Sequence, residues 1–260
     1  MDPVKVAVER DVMTATLADV ENRNALGAAL IEGLHEALAA ANADPAIRVL
    51  VIGNEGSTFC AGANLKERSG AAKTAKGRAP SVGFEQLLYE IQTSATPVVG
   101  RIAGHVVGGG NGLASALDIS IAAEDVKFGF TEVRLGVAPA IISVVCLPKM
   151  RPGEAMEAFL RGHRFPASRA AELGLINRAV PRDQLDAAVG EVIDDLRKGG
   201  PHALACAKRL VYQVPGMPQQ EAFRWTAGLS AELFAGDEAK EGMSAFLTRR
   251  PPAWAKSEDG

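Results

Sequence analysis

Cysteine is scarce in this chain of 260 residues, with only Cys60, Cys146 and Cys206, odd in number and far apart. That usage excludes a disulfide framework and suits reduced, packed thiols. The four histidines show no ligand spacing, so no metal is expected. Long apolar runs are also missing: nothing approaches about 18 uninterrupted apolar residues, the length needed to cross a bilayer. The first residues, MDPVKVAVER, hold no apolar leader, so neither secretion nor membrane insertion is expected, and the cytoplasm is the expected compartment. Charge of one sign is lacking too. The formal net charge is −3 with Lys and Arg dispersed, which offers nucleic acid no basic face and a membrane no polybasic patch.

What the chain does have is apolar bulk, 47% of its residues, enough for one large core or a core with a small accessory domain. Val4, Val6 and Val8 alternate and Met13–Leu17 follows across a turn, an opening hairpin. Asn22–Asn24 then reads as the cap of a helix in which Leu26, Leu30, Leu34 and Leu38 recur every four residues. A buried strand at Val49–Gly53 leads through STFCAGANLKE to a short helix at Ala63–Arg68. Ser69–Ser81, rich in Gly, Ala and Lys without periodicity, reads as an exposed mobile loop. Phe84, Leu87, Leu88 and Ile91 mark an amphipathic helix before the strand Val98–Ile102. The unit is strand, strand, helix, repeated. After Glu132 the segments Ile141–Met150, Glu154–Leu160, Ser168–Leu173, Gln184–Leu196, Pro201–Val211 and Pro218–Leu247 read as helices, and strand signals nearly vanish. The polar, glycine-rich joint Arg197–Pro201 divides the chain into a core of residues 1–200 and a helical region of residues 201–260. Phe223, Trp225, Leu229, Leu233 and Phe234 are more apolar bulk than that region can hide alone, which points to contact between subunits.

The stretch Gly104–Gly136 organises the rest. An apolar strand runs into three consecutive glycines, Gly108 to Gly110, and then into the helical run Leu113–Leu117. Such a turn brings bare backbone N–H groups to a helix N-terminus, where they can hold a developing oxyanion. Two further strands, Asp118–Ala122 and Lys127–Phe130, deliver Glu132 just past the second. A carboxylate beside an oxyanion cradle is the equipment of acid/base catalysis. Dinucleotide binding does not fit: the third glycine of G-x-G-x-x-G is replaced by Ser115, and no acidic residue ends a second strand about 20 positions on.

Four stretches, NRNAL (Asn22–Leu26), FCAGANLKE (Phe59–Glu67), GHVVGGGNGL (Gly104–Leu113) and FGFTEVRLGVAP (Phe128–Pro139), together resemble the enoyl-CoA hydratase/isomerase, or crotonase, superfamily in order and spacing. The likeness extends to FPASRAAELGLINRAVP and AFLTRRPPAW, nearly the whole chain. It implies an α/β fold, a spiral of ββα turns followed by helices that make a homotrimer or a homohexamer. It also implies an acyl-CoA substrate, with coenzyme A as part of that substrate and no separate cofactor. Carried over, the oxyanion hole falls on the N–H groups of Ala63 and Gly109. Backbone around Arg23, Ala61 and Ala63 would take the adenine and pantetheine, and Gly108 and Phe130 would border the substrate. Arg249 resembles a basic residue that reaches a neighbouring subunit's CoA phosphates.

The familiar hydratases carry two glutamates. Glu132 matches the second, but Gly112 stands where GGGCEL would supply the first. The run TEVRLGVAPAIIS with GGGxGL resembles a bacterial branch acting on branched glutaconyl-type thioesters, which implies hydration with a single glutamate. The alternatives are isomerisation of a Δ3 to a Δ2 double bond, decarboxylation through the same enolate, or acyl-CoA binding without turnover. Dehalogenation is excluded by the missing nucleophilic aspartate near Ala140. His105, just before the triplet, either faces the site or packs.

Overall fold

The computed structural model describes residues 2–69 and 82–255; residues 70–81 of the loop expected over Ser69–Ser81 lie outside them. The chain opens on a hairpin, β1 (Val4–Glu9) and β2 (Val12–Leu17), paired antiparallel from Val4↔Leu17 to Glu9↔Val12. Alternation along β2 turns Met13, Ala15 and Leu17 inward. Helix α1 (Ala28–Ala43) buries Leu30, Ile31, Leu34 and Leu38. Its cap differs from the expected one. Gly27 occupies the N-cap without a side-chain bond, and the first N–H, that of Ala28, donates at 3.2 Å to Glu67 Oε2. Asn22 instead closes a short 3₁₀ turn, while Arg23 and Asn24 adopt left-handed φ of 55° and 51°. Asn24 spends its side chain on the Thr58 carbonyl, 2.7 Å away. A residue that can cap a helix can equally fasten a loop to a strand, and here the loop won.

The ββα turns follow. Strand β3 (Val49–Asn54) is buried along its whole length, as a strand covered on both faces must be. After it come β4 (Thr58–Cys60), the single-turn α2 (Leu65–Arg68) and α3 (Phe84–Thr93). The next turn comprises β5 (Val98–Ile102), β6 (His105–Val107) and α4 (Gly109–Ala116), which begins inside the glycine triplet. Then β7 (Ile119–Ala123) and β8 (Lys127–Gly129) lead to a 3₁₀ turn over Glu132–Leu135. Helices α5 (Ala140–Cys146) and α6 (Pro152–Arg161), strand β9 (Arg164–Pro166), α7 (Ala167–Glu172), strand β10 (Arg178–Val180) and α8 (Leu185–Lys198) come next. The chain ends in α9 (Pro201–Gln213), α10 (Gln219–Ala235) and α11 (Asp237–Leu247), the last two split at Gly236.

Two sheets result. The larger has the order β1-β2-β3-β5-β7-β10, parallel except for the hairpin, and the smaller has β4-β6-β8-β9, parallel except at β9. Each turn of the spiral gives one strand to each sheet. Strands β9 and β10 lie between helices in the part of the chain where strand signals nearly vanish: three residues are too few to display a period, yet both are held as edge partners, Phe128↔Phe165 and Ala179↔Ala122. Helix α9 docks through a shielded ion pair, Lys208 Nζ to Asp118 Oδ2 at 2.8 Å. Among the described residues no helix is long and apolar enough to cross a membrane.

Candidate active site

In the small sheet β4, β6 and β8 are parallel neighbours, so their carboxyl ends open on one side. Three segments leave there: Ala61–Asn64 from β4, Gly108–Gly110 from β6 and Thr131–Glu132 from β8. The carboxyl ends of parallel strands are where such sheets bind ligands. The first two segments touch through glycine. Gly62 has φ of +83°, and a Cβ added to it would lie 2.9 Å from both Gly109 N and Val107 O. Gly108 has φ of +55°, and its added Cβ would meet Glu132 Oε1 at 3.4 Å. A side chain at Gly62 would drive the two segments apart, and one at Gly108 would be strained by its left-handed backbone.

The donors follow from this contact. Leu26 N–H donates to Gly62 O at 2.7 Å, and because a trans peptide directs its C=O and N–H oppositely, the Ala63 N–H faces the other way. Gly109 is the first residue of α4, where an N–H has no intrahelical acceptor. Among the described residues neither N–H donates to a protein acceptor. Both line a cavity of about 410 Å³ together with Ala61, Gly62, Gly108, Thr131 and Glu132. The rest of its described wall is apolar or backbone, with Leu26, Ile31, Phe84, Leu135, Ile141 and Ile142 prominent. Glu132 is the one titratable group on that wall. Its Oε2 is buried without a hydrogen-bond partner, and burial pushes its pKa above the ordinary glutamate value.

A second hollow, about 690 Å³, shares Ala61, Ala63 and Leu65 with the first. Arg23, Lys66, His105 and Arg164 line it together with one acid, Glu21, a vestibule with an excess of basic groups beside an apolar chamber.

A model of the enoyl-CoA hydratase/isomerase family matches residues 7–257. The chain belongs to this family. A Thermus thermophilus protein bearing a provisional enoyl-CoA hydratase name is 32% identical over 250 residues, spanning 95% of this chain and 99% of that one. Carnitinyl-CoA dehydratase of Salmonella typhi is 31% identical over 246 residues, 91% of this chain and 92% of its own. The crystal structure of an enoyl-CoA hydratase from Bacillus anthracis superposes with a TM-score of 0.88 at 28% identity, covering 98% and 100% of the two chains. Relatives of this kind make the chain an enzyme of the hydratase/isomerase family, and the α/β crotonase fold expected from the sequence is the fold observed.

The other residues that the crotonase resemblance singles out are scattered. Arg23 and Ala61 border the vestibule. Phe130 does not border either cavity: it is fully buried, packed on Phe159 at 4.5 Å and near Phe165. Gly112 lies behind the wall, where an added Cβ would overlap Ile142 Cγ2 and stand 2.7 Å from Ile142 Cβ. The space that would hold a first glutamate is filled by isoleucine. Arg249 is exposed after α11 and borders neither cavity. His105 lies in the vestibule, its Nδ1 accepting from Lys127 N–H at 3.1 Å. Sequence reasoning passed over Lys66 and Arg164, which are ordinary surface charges until the fold sets them beside Arg23, and over Asn111 and Ile142.

Proposed function

We propose that this protein adds water to the α,β double bond of an acyl-CoA thioester, with Glu132 as its acid/base group and the N–H groups of Ala63 and Gly109 as the oxyanion hole. The observation that carries this reading is that Glu132 shares the wall of one apolar cavity with Ala63 and Gly109, its Oε1 3.4 Å from where a Cβ on Gly108 would stand. Enolate charge developing on the thioester oxygen meets two main-chain donors, each worth about 3 kcal/mol in such holes. Glu132 takes a proton from water as its oxygen bonds to Cβ, and the double-bond electrons move towards the thioester. The same carboxyl then returns the proton to Cα, leaving a 3-hydroxyacyl-CoA and an ionised Glu132. The names of the relatives support hydration.

The basic vestibule suits the phosphates of coenzyme A, with backbone around Arg23 and Ala61 along the adenine and pantetheine. The motif pair GGGxGL and TEVRLGVAPAIIS supports a branched, glutaconyl-type acyl group. Where that group meets the described side chains it should be hydrocarbon, because only Thr131 and Glu132 carry polar side chains there. By the same resemblance, residues 201–260 assemble three copies, singly or as a pair of trimers, and Arg249 serves a neighbour's CoA.

A second reading is favoured by Ile142. With no room for a second carboxylate, one base that moves a proton from Cα to Cγ suffices for Δ3 to Δ2 isomerisation. Crotonyl-CoA, 3-methylglutaconyl-CoA and a 3-enoyl-CoA decide between them. Loss of enoyl absorbance with either of the first two is expected; gain of absorbance with the third alone means isomerisation. No change with any of them overturns both readings.

A further inference from the structure

Asparagine is a poor helix former, yet Asn111 is the third residue of the short helix α4 and is only 1% exposed. Its side-chain Nδ2 donates to Gly129 O at 2.9 Å and to Gly108 O at 3.1 Å. The Gly108 N–H donates to the same Gly129 carbonyl, also at 2.9 Å. One amide therefore ties the glycine turn, which carries Gly109, to the last residue of β8, from which the chain runs through Phe130 and Thr131 to Glu132. Gly129 has little room on its other side, where an added Cβ would lie 2.9 Å from His163 O. The Asn111 Oδ1, meanwhile, is buried with no donor. Leaving a polar atom unanswered costs roughly 1–3 kcal/mol, about what the two Nδ2 hydrogen bonds return, so the fold gains little net from this amide. Stability alone does not account for Asn111. Polar strain of this kind is expected beside a working site.

We propose that Asn111 is a positioning residue, a clamp that holds the Gly109 N–H and the Glu132 carboxyl in fixed register across the α4 and β8 termini. The inference rests on the roles given above to Gly109 and Glu132. Proton transfer needs the reacting atoms held closely, and a drift of about 1 Å costs on the order of 10²-fold in rate. Substrate affinity comes from the cavity and the vestibule, which Asn111 does not line.

The test uses Asn111→Leu, similar in size without donors, and Asn111→Ala, with thermal unfolding confirming the fold. The expected result is a fall in kcat of about 10- to 100-fold on the turned-over thioester with KM within about twofold. A second readout is acetoacetyl-CoA, whose enolate absorbs in the ultraviolet when its oxygen is held by N–H donors; the band should appear with the unaltered protein and weaken with both variants. A folded variant with unchanged kcat and band overturns the clamp, as does a loss carried by KM alone. Failure of both variants to fold also overturns it, by making Asn111 a support of the core first. If the unaltered protein turns over no thioester, the reaction assigned above fails, and the enolate band still judges the clamp.

Discussion

Glu132 faces an apolar cavity with no described cation beside it, and burial raises its pKa. A base works only when ionised, so kcat/KM should rise with pH as this carboxyl loses its proton. Because the shift is upward, that acid limb should lie above the ordinary glutamate range. A limb at or below the ordinary value in a pH profile of kcat/KM would show that another group sets it. Glu132→Gln keeps the shape of the side chain, so the fold and CoA affinity should survive while kcat drops by about 10²–10⁴-fold. The opposite kind of change awaits Gly112→Glu. Its first added atom already overlaps Ile142, and overpacking costs about 1–3 kcal/mol before the burial of a carboxylate is counted. A lowered melting temperature without new hydration of crotonyl-CoA is the expected outcome, and adding Ile142→Ala should recover part of the melting temperature. A single variant that folds normally and hydrates faster would refute this account of the wall.

At the scale of elements, Gly109 is both an oxyanion donor in the proposed mechanism and the first residue of α4. Proline is tolerated at a first helical position, where its missing N–H has no helical use. Gly109→Pro should therefore keep α4 while deleting one donor, at the expense of shifting Leu26 Cδ1, which lies 2.8 Å from an added Cβ. Turnover should fall by about 10²–10³-fold with far-ultraviolet dichroism unchanged. The tie between α9 and the core offers a separate test. Lys208 donates to Asp118 Oδ2 at 2.8 Å and to Ile91 O at 2.6 Å, and the same carboxylate oxygen accepts Val98 N–H at 2.7 Å. Both side chains are mostly shielded, 9% and 16% exposed. Removing one partner of such a pair typically costs about 3–5 kcal/mol because the other charge is stranded. Lys208→Met should lower stability by that order in denaturant melts, and pairing it with Asp118→Asn should return much of the loss. Equal losses in the single and double variants would mean that the ion pair is not what docks α9.

For the whole molecule, the C-terminal helices leave Phe223, Phe234, Phe246 and Leu247 at 67% to 83% exposure in the single chain. Large apolar side chains left this exposed favour association with further copies. Light scattering at micromolar concentration should give three or six times the chain mass, and Phe246→Asp with Leu247→Asp should reduce it. A stable monomer in the unaltered protein would remove the oligomer from the proposal and the division at residue 200 with it.

The sequence by itself determined the layered plan. Alternation in β2, the unbroken apolar run of β3 and the four-residue leucine spacing of α1 are local patterns, and local patterns survive without knowledge of distant partners. It marked in the same way the glycine turn at the head of α4 and the carboxylate just past β8, which the structure sets on the wall of one cavity. Tertiary structure alone decided what those pieces face. Asn24 fastens to Thr58 instead of capping α1, and Phe130, close to Glu132 in sequence, turns into the aromatic core. Strands β9 and β10 exist because edges of the two sheets were open to them. Ile142, thirty positions from Gly112, occupies the place where a second carboxylate would stand. Burial and hydrogen-bond partners belong to neighbours brought together by folding, and a linear spacing carries no record of which side chain will fill a given volume.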